Sequence, residues 1–246
     1  MRAIANPYVL YIGMRSVNAF AFALVLTYEL AYHTVIIGLT PFQLVLVGVV
    51  LESMTLIFEI PTGIFADLVS RRLSVILGIM LTGAGFMLEI LIPSFATVIL
   101  AQVLWGIGFT FYSGAEAAWI VDEVGLERAH AAFLRATQLS QVLTIAGTLC
   151  GALLAAISIS VPVIVGASLL LALGVSLWFT MSETGFEPAA RSAQHRHWAQ
   201  LLQPVRDSAR LVRIHPLLWM ILLLGAPLAC MLAALIVSTR RTCSLR

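Results

Sequence analysis

Glu59-Ile60-Pro61-Thr62-Gly63-Ile64-Phe65-Ala66-Asp67-Leu68-Val69-Ser70-Arg71-Arg72 closes one long apolar stretch of the chain and opens the next. Each residue type has a physical reason to be at such a junction. Gly63 carries no side chain, so another helix can approach closely there. Asp67 is an anion at the edge of an apolar run and needs a cation; Arg71, four residues on, is in reach if the turn stays helical. Arg72 has the length to snorkel to phosphate headgroups. Charges arranged in this way act either as a latch that holds one conformation or as a plain marker of membrane topology.

The composition around this junction leaves few classes of protein open. The chain has 246 residues, of which 61% are hydrophobic and only 11% charged. Soluble domains carry about 45–50% apolar and about 25% charged residues. That apolar excess exceeds what one core with a polar skin can hide. A soluble enzyme, a disordered chain and a disulfide-stapled secreted domain are excluded. The net charge of +2, with every basic residue an Arg, gives no case for nucleic acid as a partner. Cys150, Cys230 and Cys243 are far apart and read as apolar fillers.

Apolar stretches long enough to span a bilayer fall at about 9–31, 42–66, 73–92, 95–120, 136–159 and 161–181, with a seventh at about 216–238. They lack the alternation of barrel strands, so the expected class is all-α and polytopic. Thr40-Pro41, Pro93-Ser94 and Ser160-Val161-Pro162 mark turns, as does the polar run from Asp122-Glu123 to Arg135. Arg2, Arg71, Arg72, Arg128, Arg135, Arg191, Arg196, Arg206, Arg210 and Arg213 fall on one side of this scheme. The loops near 32–41, 93–95 and 159–161 hold no Arg. The positive-inside rule then places the N-terminus and the Arg-rich loops in the cytoplasm, and the chain in the inner (plasma) membrane as a multi-pass protein.

Four segments are expected: a six-helix bundle over 1–181, a cytoplasmic loop over 182–215, a seventh span over 216–238 and a tail over 239–246. In the loop, Trp198, Leu201, Leu202, Val205, Leu211 and Val212 follow helical spacing among basic residues. Either an amphipathic helix on the headgroups, broken at Pro204, or a plain linker fits that pattern. Arg240, Arg241 and Arg246 follow the seventh span on its expected outer side, which suits a tail foreign to the fold or a helix that fails to span.

The junction resembles the signature loop of the major facilitator superfamily, Gly-x-x-x-Asp-[Arg/Lys]-x-Gly-[Arg/Lys]-[Arg/Lys], between that family's second and third helices. Gly63, Asp67, Arg71 and Arg72 match in type and spacing; Leu68 and Ser70 depart from it. The Glu-x-Pro-Thr-Gly-x-x-Ala-Asp run is similar to drug-exporter members. The resemblance covers about 8–238 and implies the N-terminal half of a twelve-helix carrier, built from two inverted three-helix repeats, plus one helix: an apparently truncated chain. It also implies that Asp122 joins Arg71, that the first and fourth helices line a cavity, and that the carrier exports a small amphipathic molecule. The longer Gly-Pro-rich antiporter motif of the fifth helix is absent, although Gly147 and Gly151 permit close packing there. The Arg-containing motif of proton-driven members is also missing.

Ionisable groups inside spans default to functional candidates. Arg15 lies about 10 Å into the first helix, with Asn18 one turn on. Glu52 and Glu59 share a face of the second helix, and Glu116 lies beside Tyr112 in the fourth. Arg15 can pair with Glu52, Glu59 or Glu116 across a cavity, where a shielded carboxyl could carry a proton; Gln102, Trp105, Thr110 and Tyr112 are further lining candidates. Glu29 and Glu89 sit near outer ends and are expected to snorkel. No phosphate loop, HExxH, nucleophile elbow or Cys/His cluster occurs, so neither an enzyme nor a metal or cofactor is expected. The reading is a secondary transporter of a small molecule, possible proton coupling included. Its partners are the lipid bilayer and either a second half or another copy of the chain. The alternative is a non-transporting membrane remnant or half-size scaffold.

Overall fold

The computed structural model describes residues 6–186; within them every regular element is helical. The elements are α1 (Pro7–Ala31), a π turn (Tyr32–Ile37), α2 (Pro41–Leu68), α3 (Arg71–Leu91), α4 (Phe95–Ser113), α5 (Ala115–Val124), α6 (Leu126–Ala155) and α7 (Ser160–Thr180). They form 6 stretches long and apolar enough to cross a membrane, α1 running on through the π turn and α4 through α5. The shortest have 21 residues, about 31 Å of helix against a hydrocarbon core of about 30 Å. The expected amphipathic helix, seventh span and tail lie outside the described residues.

Local chemistry sets the ends. Asn6 caps α1 ahead of Pro7, its side chain accepting from the Tyr8 amide. Thr40 and Gln43 make a reciprocal capping box at α2, and Ser94 and Thr97 another at α4. Ser70 caps α3, so one of the two residues that depart from the signature pattern starts the helix. Gly38 ends the π turn with φ +76°, a conformation that suits only glycine well.

One boundary departs from expectation. The run before Arg135 reads as a loop, yet α6 begins at Leu126, directly after Gly125. Ala129, Ala132 and Ala136 are buried at helical spacing, and this face carries the helix beyond its apolar part.

The packing has an internal symmetry. The first span packs on α6 and α7, and the fourth on α2 and α3; α3 also packs on α7. Exchanging spans one, two and three with four, five and six maps this set of contacts onto itself. Two like three-helix repeats give that result. Small residues set the close crossings: a Cβ on Gly78 would lie 2.6 Å from the Gly108 carbonyl oxygen, and one on Gly147 would lie 2.8 Å from that of Phe20. The main core runs through all of this, from Tyr11 and Met14 to Trp119, Leu170 and Leu177.

Candidate functional site

Three polar clusters interrupt the apolar bundle. The first lies at the Arg-rich end, where α2 turns into α3. Arg71 leaves the first turn of α3 and reaches the end of α5. Its guanidinium donates to the Asp122 carboxylate and, at 3.2 Å, to the Ala118 carbonyl oxygen. Asp67 is its i,i+4 neighbour at 3.5 Å. Arg71 therefore bridges two acids, one from α2 and one from α5. Gly63 differs from expectation: among the described residues nothing lies within 4 Å of a Cβ built there, so no helix crosses it. Arg72 differs too. It folds back to donate to the Trp178 carbonyl oxygen at 2.5 Å, its guanidinium 5.9 Å from the Trp178 ring centre, instead of reaching outward.

The chain after α7 completes this end. Glu183 accepts from the Ser70 hydroxyl at 2.7 Å and the Arg72 amide at 3.1 Å. Glu123 accepts from Ser182, Thr184 and the Gly185 amide. Trp119 Nε1 donates to the Ser182 carbonyl oxygen at 2.7 Å. These contacts clasp the start of α3 and the end of α5 to the chain that follows α7. Sequence reasoning missed Glu123 and Glu183 as structural partners. Asp122-Glu123 stood out only as an acidic end to the fourth stretch, and Glu183 only as an acid in the polar run after the sixth.

The second cluster lies deeper. Arg15, two turns into α1, donates from a terminal guanidinium nitrogen to Glu116 Oε1 at 2.6 Å. Glu116 owes its place to Gly114, which separates α4 from α5 and puts Glu116 in the first turn of the new helix. The pair is asymmetric in exposure: the Arg15 side chain is 36% exposed and that of Glu116 9%. One end is thus reachable while the other is held in the bundle. Tyr112 is buried one turn before Glu116 and approaches Asn18, one turn after Arg15. Of the three acids proposed for Arg15, the structure selects Glu116. Glu52 and Glu59 are exposed on α2 and make no salt bridge among the described residues. Two lining candidates are instead packing residues. Trp105 packs in tilted ring contacts with Phe22 and Phe86, and Thr110 turns back onto its own helix to the Ile107 carbonyl oxygen.

The third cluster corrects the view of Glu29 and Glu89 as snorkelling ends. Both are buried, together with His33 and Gln102. Gln102 donates to Glu29 and so is not a wall of an open cavity.

A bundle of six membrane spans in two equivalent three-helix sets, with a basic bridge at one end and an ion pair within, defines a polytopic membrane protein of carrier architecture. The chain matches the Major Facilitator Superfamily over residues 8–240 and belongs to that family. It is also similar to an uncharacterized MFS-type transporter, YxaM, of Bacillus subtilis (strain 168). The two are 30% identical over 120 residues, which cover 49% of this chain and 30% of that relative. Membership accounts for the absence of enzyme motifs.

Proposed function

We propose that the chain works in secondary active transport of a small molecule, in the efflux direction, with the Arg15–Glu116 pair as the polar centre of its pathway. The observation that carries this reading is that pair: an arginine and a glutamate 101 residues apart in sequence, joined at 2.6 Å between the first and fourth spans. A buried acid facing a part-exposed base is costly as scaffolding, because replacing such a pair with apolar groups is often neutral or stabilising. It suits a site where substrate or a proton exchanges with the partner charge.

The Asp67–Arg71–Asp122 bridge is the latch of this scheme. Opening it separates the α2–α3 turn from the end of α5, and the cost of parting the charges sets the balance between two states. A second six-helix half, or another copy of the chain, would complete the pathway. The least buried spans, α2 and α6, are equivalent under the repeat exchange, and both present exposed apolar side chains such as Leu56, Ile57, Ile145 and Leu149. The N-terminus lies in the cytoplasm in this reading, and the membrane is the plasma membrane.

The test is efflux of a panel of dyes and antibiotics from cells that express the protein, against cells that lack it. Glu116→Gln and Arg15→Gln each lower efflux at least tenfold while the protein still reaches the membrane. Efflux that survives both substitutions removes the pair from the pathway.

A further inference from the structure

The third cluster lies at the end of the bundle opposite the Arg-rich loops. Glu29 comes from the last turns of α1, His33 from the π turn, Glu89 from the end of α3 and Gln102 from α4. His33 Nε2 is 3.2 Å from Glu89 Oε2, and Gln102 donates to Glu29 Oε1 at 3.1 Å. The Tyr32 hydroxyl donates to the Glu89 carbonyl oxygen at 3.1 Å. Exposure is 9% for Glu29, 3% for His33, 0% for Glu89 and 1% for Gln102.

Two features of this arrangement call for a further ligand. Glu89 Oε1 is fully buried and has no hydrogen-bond partner. The two carboxylates also face a single basic group among the described residues, His33. With both acids ionised, the cluster carries −2 with neutral His33 and −1 with protonated His33. A buried excess of this kind is strongly unfavourable unless a proton or a counter-ion neutralises it, and only a counter-ion also binds the three groups together. One divalent cation brings the charge to zero with neutral His33, and held by both oxygens of Glu89 it gives Oε1 its partner.

The geometry selects the kind of ion. One ligand atom from each of Glu29, His33 and Glu89 lies within 4.8 Å of the others. A tetrahedral zinc site, with bonds of about 2.0–2.2 Å, needs ligand atoms about 3.4 Å apart. The His33–Glu89 separation of 3.2 Å is already close to this, and Glu29 must close by about 1.4 Å at most. One imidazole with two carboxylates suits zinc-like transition metals; calcium and magnesium favour all-oxygen shells of six or more ligands. Gln102, bonded to Glu29, would orient that carboxylate from outside the ligand set. The π turn also fits, since single π turns recur at functional sites.

We propose that Glu29, His33 and Glu89 bind a zinc-type divalent cation that staples the first span to α3. The site stands apart from the Arg15–Glu116 pathway and does not depend on it. The experiment uses the full chain purified in detergent, stripped with chelator and titrated with Zn2+. Metal content is read by mass spectrometry and stability by thermal unfolding. Wild type retains about one Zn2+ per chain and its melting temperature rises at micromolar Zn2+. Glu89→Gln and His33→Asn each weaken binding at least tenfold, and Gln102→Ala weakens it by about 10–100-fold. A variant with His130, His195, His197 and His215 all changed to Asn keeps the binding. Two results overturn the proposal. One is wild type that neither holds Zn2+ nor gains stability from it, which leaves the cluster as a proton-sharing His–carboxylate pair. The other is a Zn2+ response unchanged by Glu89→Gln and His33→Asn, which places the metal elsewhere.

Discussion

Arg71 serves two acids, and their exposure separates their contributions. The Asp67 carboxylate is 55% exposed and 3.5 Å away, whereas that of Asp122 is 23% exposed and accepts directly from the guanidinium. An exposed i,i+4 pair contributes about 0.5 kcal/mol. A half-buried pair leaves its partner short of a counter-charge when broken, and about 2 kcal/mol is the scale after discounting for solvent. Asp122→Asn therefore lowers thermal stability in detergent clearly more than Asp67→Asn does. Equal melting temperatures for the two variants would remove Asp122 as the main anchor. Under the latch proposed above, Asp67→Asn still inserts into the membrane but transports poorly. Transport at the wild-type rate in Asp67→Asn counts against that role.

At the scale of the helix, two glycines with the same one-letter code have opposite prospects. A methyl on Gly78 meets the Gly108 carbonyl oxygen at 2.6 Å and Tyr112 backbone and Cβ atoms at 2.8 Å, so α3 and α4 must part. Overpacking of this sort costs about 1–3 kcal/mol. A methyl on Gly63 meets nothing within 4 Å. Gly78→Ala should lower the melting temperature by several degrees, and Gly63→Ala should not. The reverse order would mean that the α3–α4 crossing is misplaced. This contrast also shows how far sequence could reach. The signature motif drew attention to Gly63 because of its spacing, whereas Gly78 sits in a plain apolar run and only its neighbour across the interface gives it meaning. Span positions were legible because apolar length is a local property. The start of α6 was not, because its buried stripe is made of alanines between charged residues. The partner of Arg15 was not legible either: three acids were within plausible reach, and only the packing of the first span against the fourth brings Glu116 to it. Glu29 and Glu89 looked like outer-end residues one at a time, and only α1, α3 and α4 packing together makes them a buried cluster.

For the whole molecule, charge distribution and repeat symmetry make one joint prediction. Arg71, Arg72 and Arg128 lie at the α2–α3 and α5–α6 turns, with Arg135 further along α6, and these turns share one end of the bundle because two spans separate them. The connections at 38–40, 92–94 and 156–159 lie at the other end and carry no charged residue. Moving the first end across the bilayer would carry four guanidinium groups through hydrocarbon, at about 2.5–3.5 kcal/mol each on insertion scales. No charge in those connections opposes their export. The three-helix repeat adds a further constraint: an odd number of spans inverts the second repeat, so the turn just before Arg71-Arg72 and the turn near Arg128 must face the same compartment. A reporter active only outside the cell, fused after Pro93, is therefore active, and the same reporter fused after Arg72 or Arg128 is silent. A reporter active only in the cytoplasm gives the complementary pattern. If the fusions after Arg72 and Arg128 report opposite sides, the helix count between them is wrong. If both report outside, the count stands but the orientation is inverted, and the Arg71 bridge would then face the exterior.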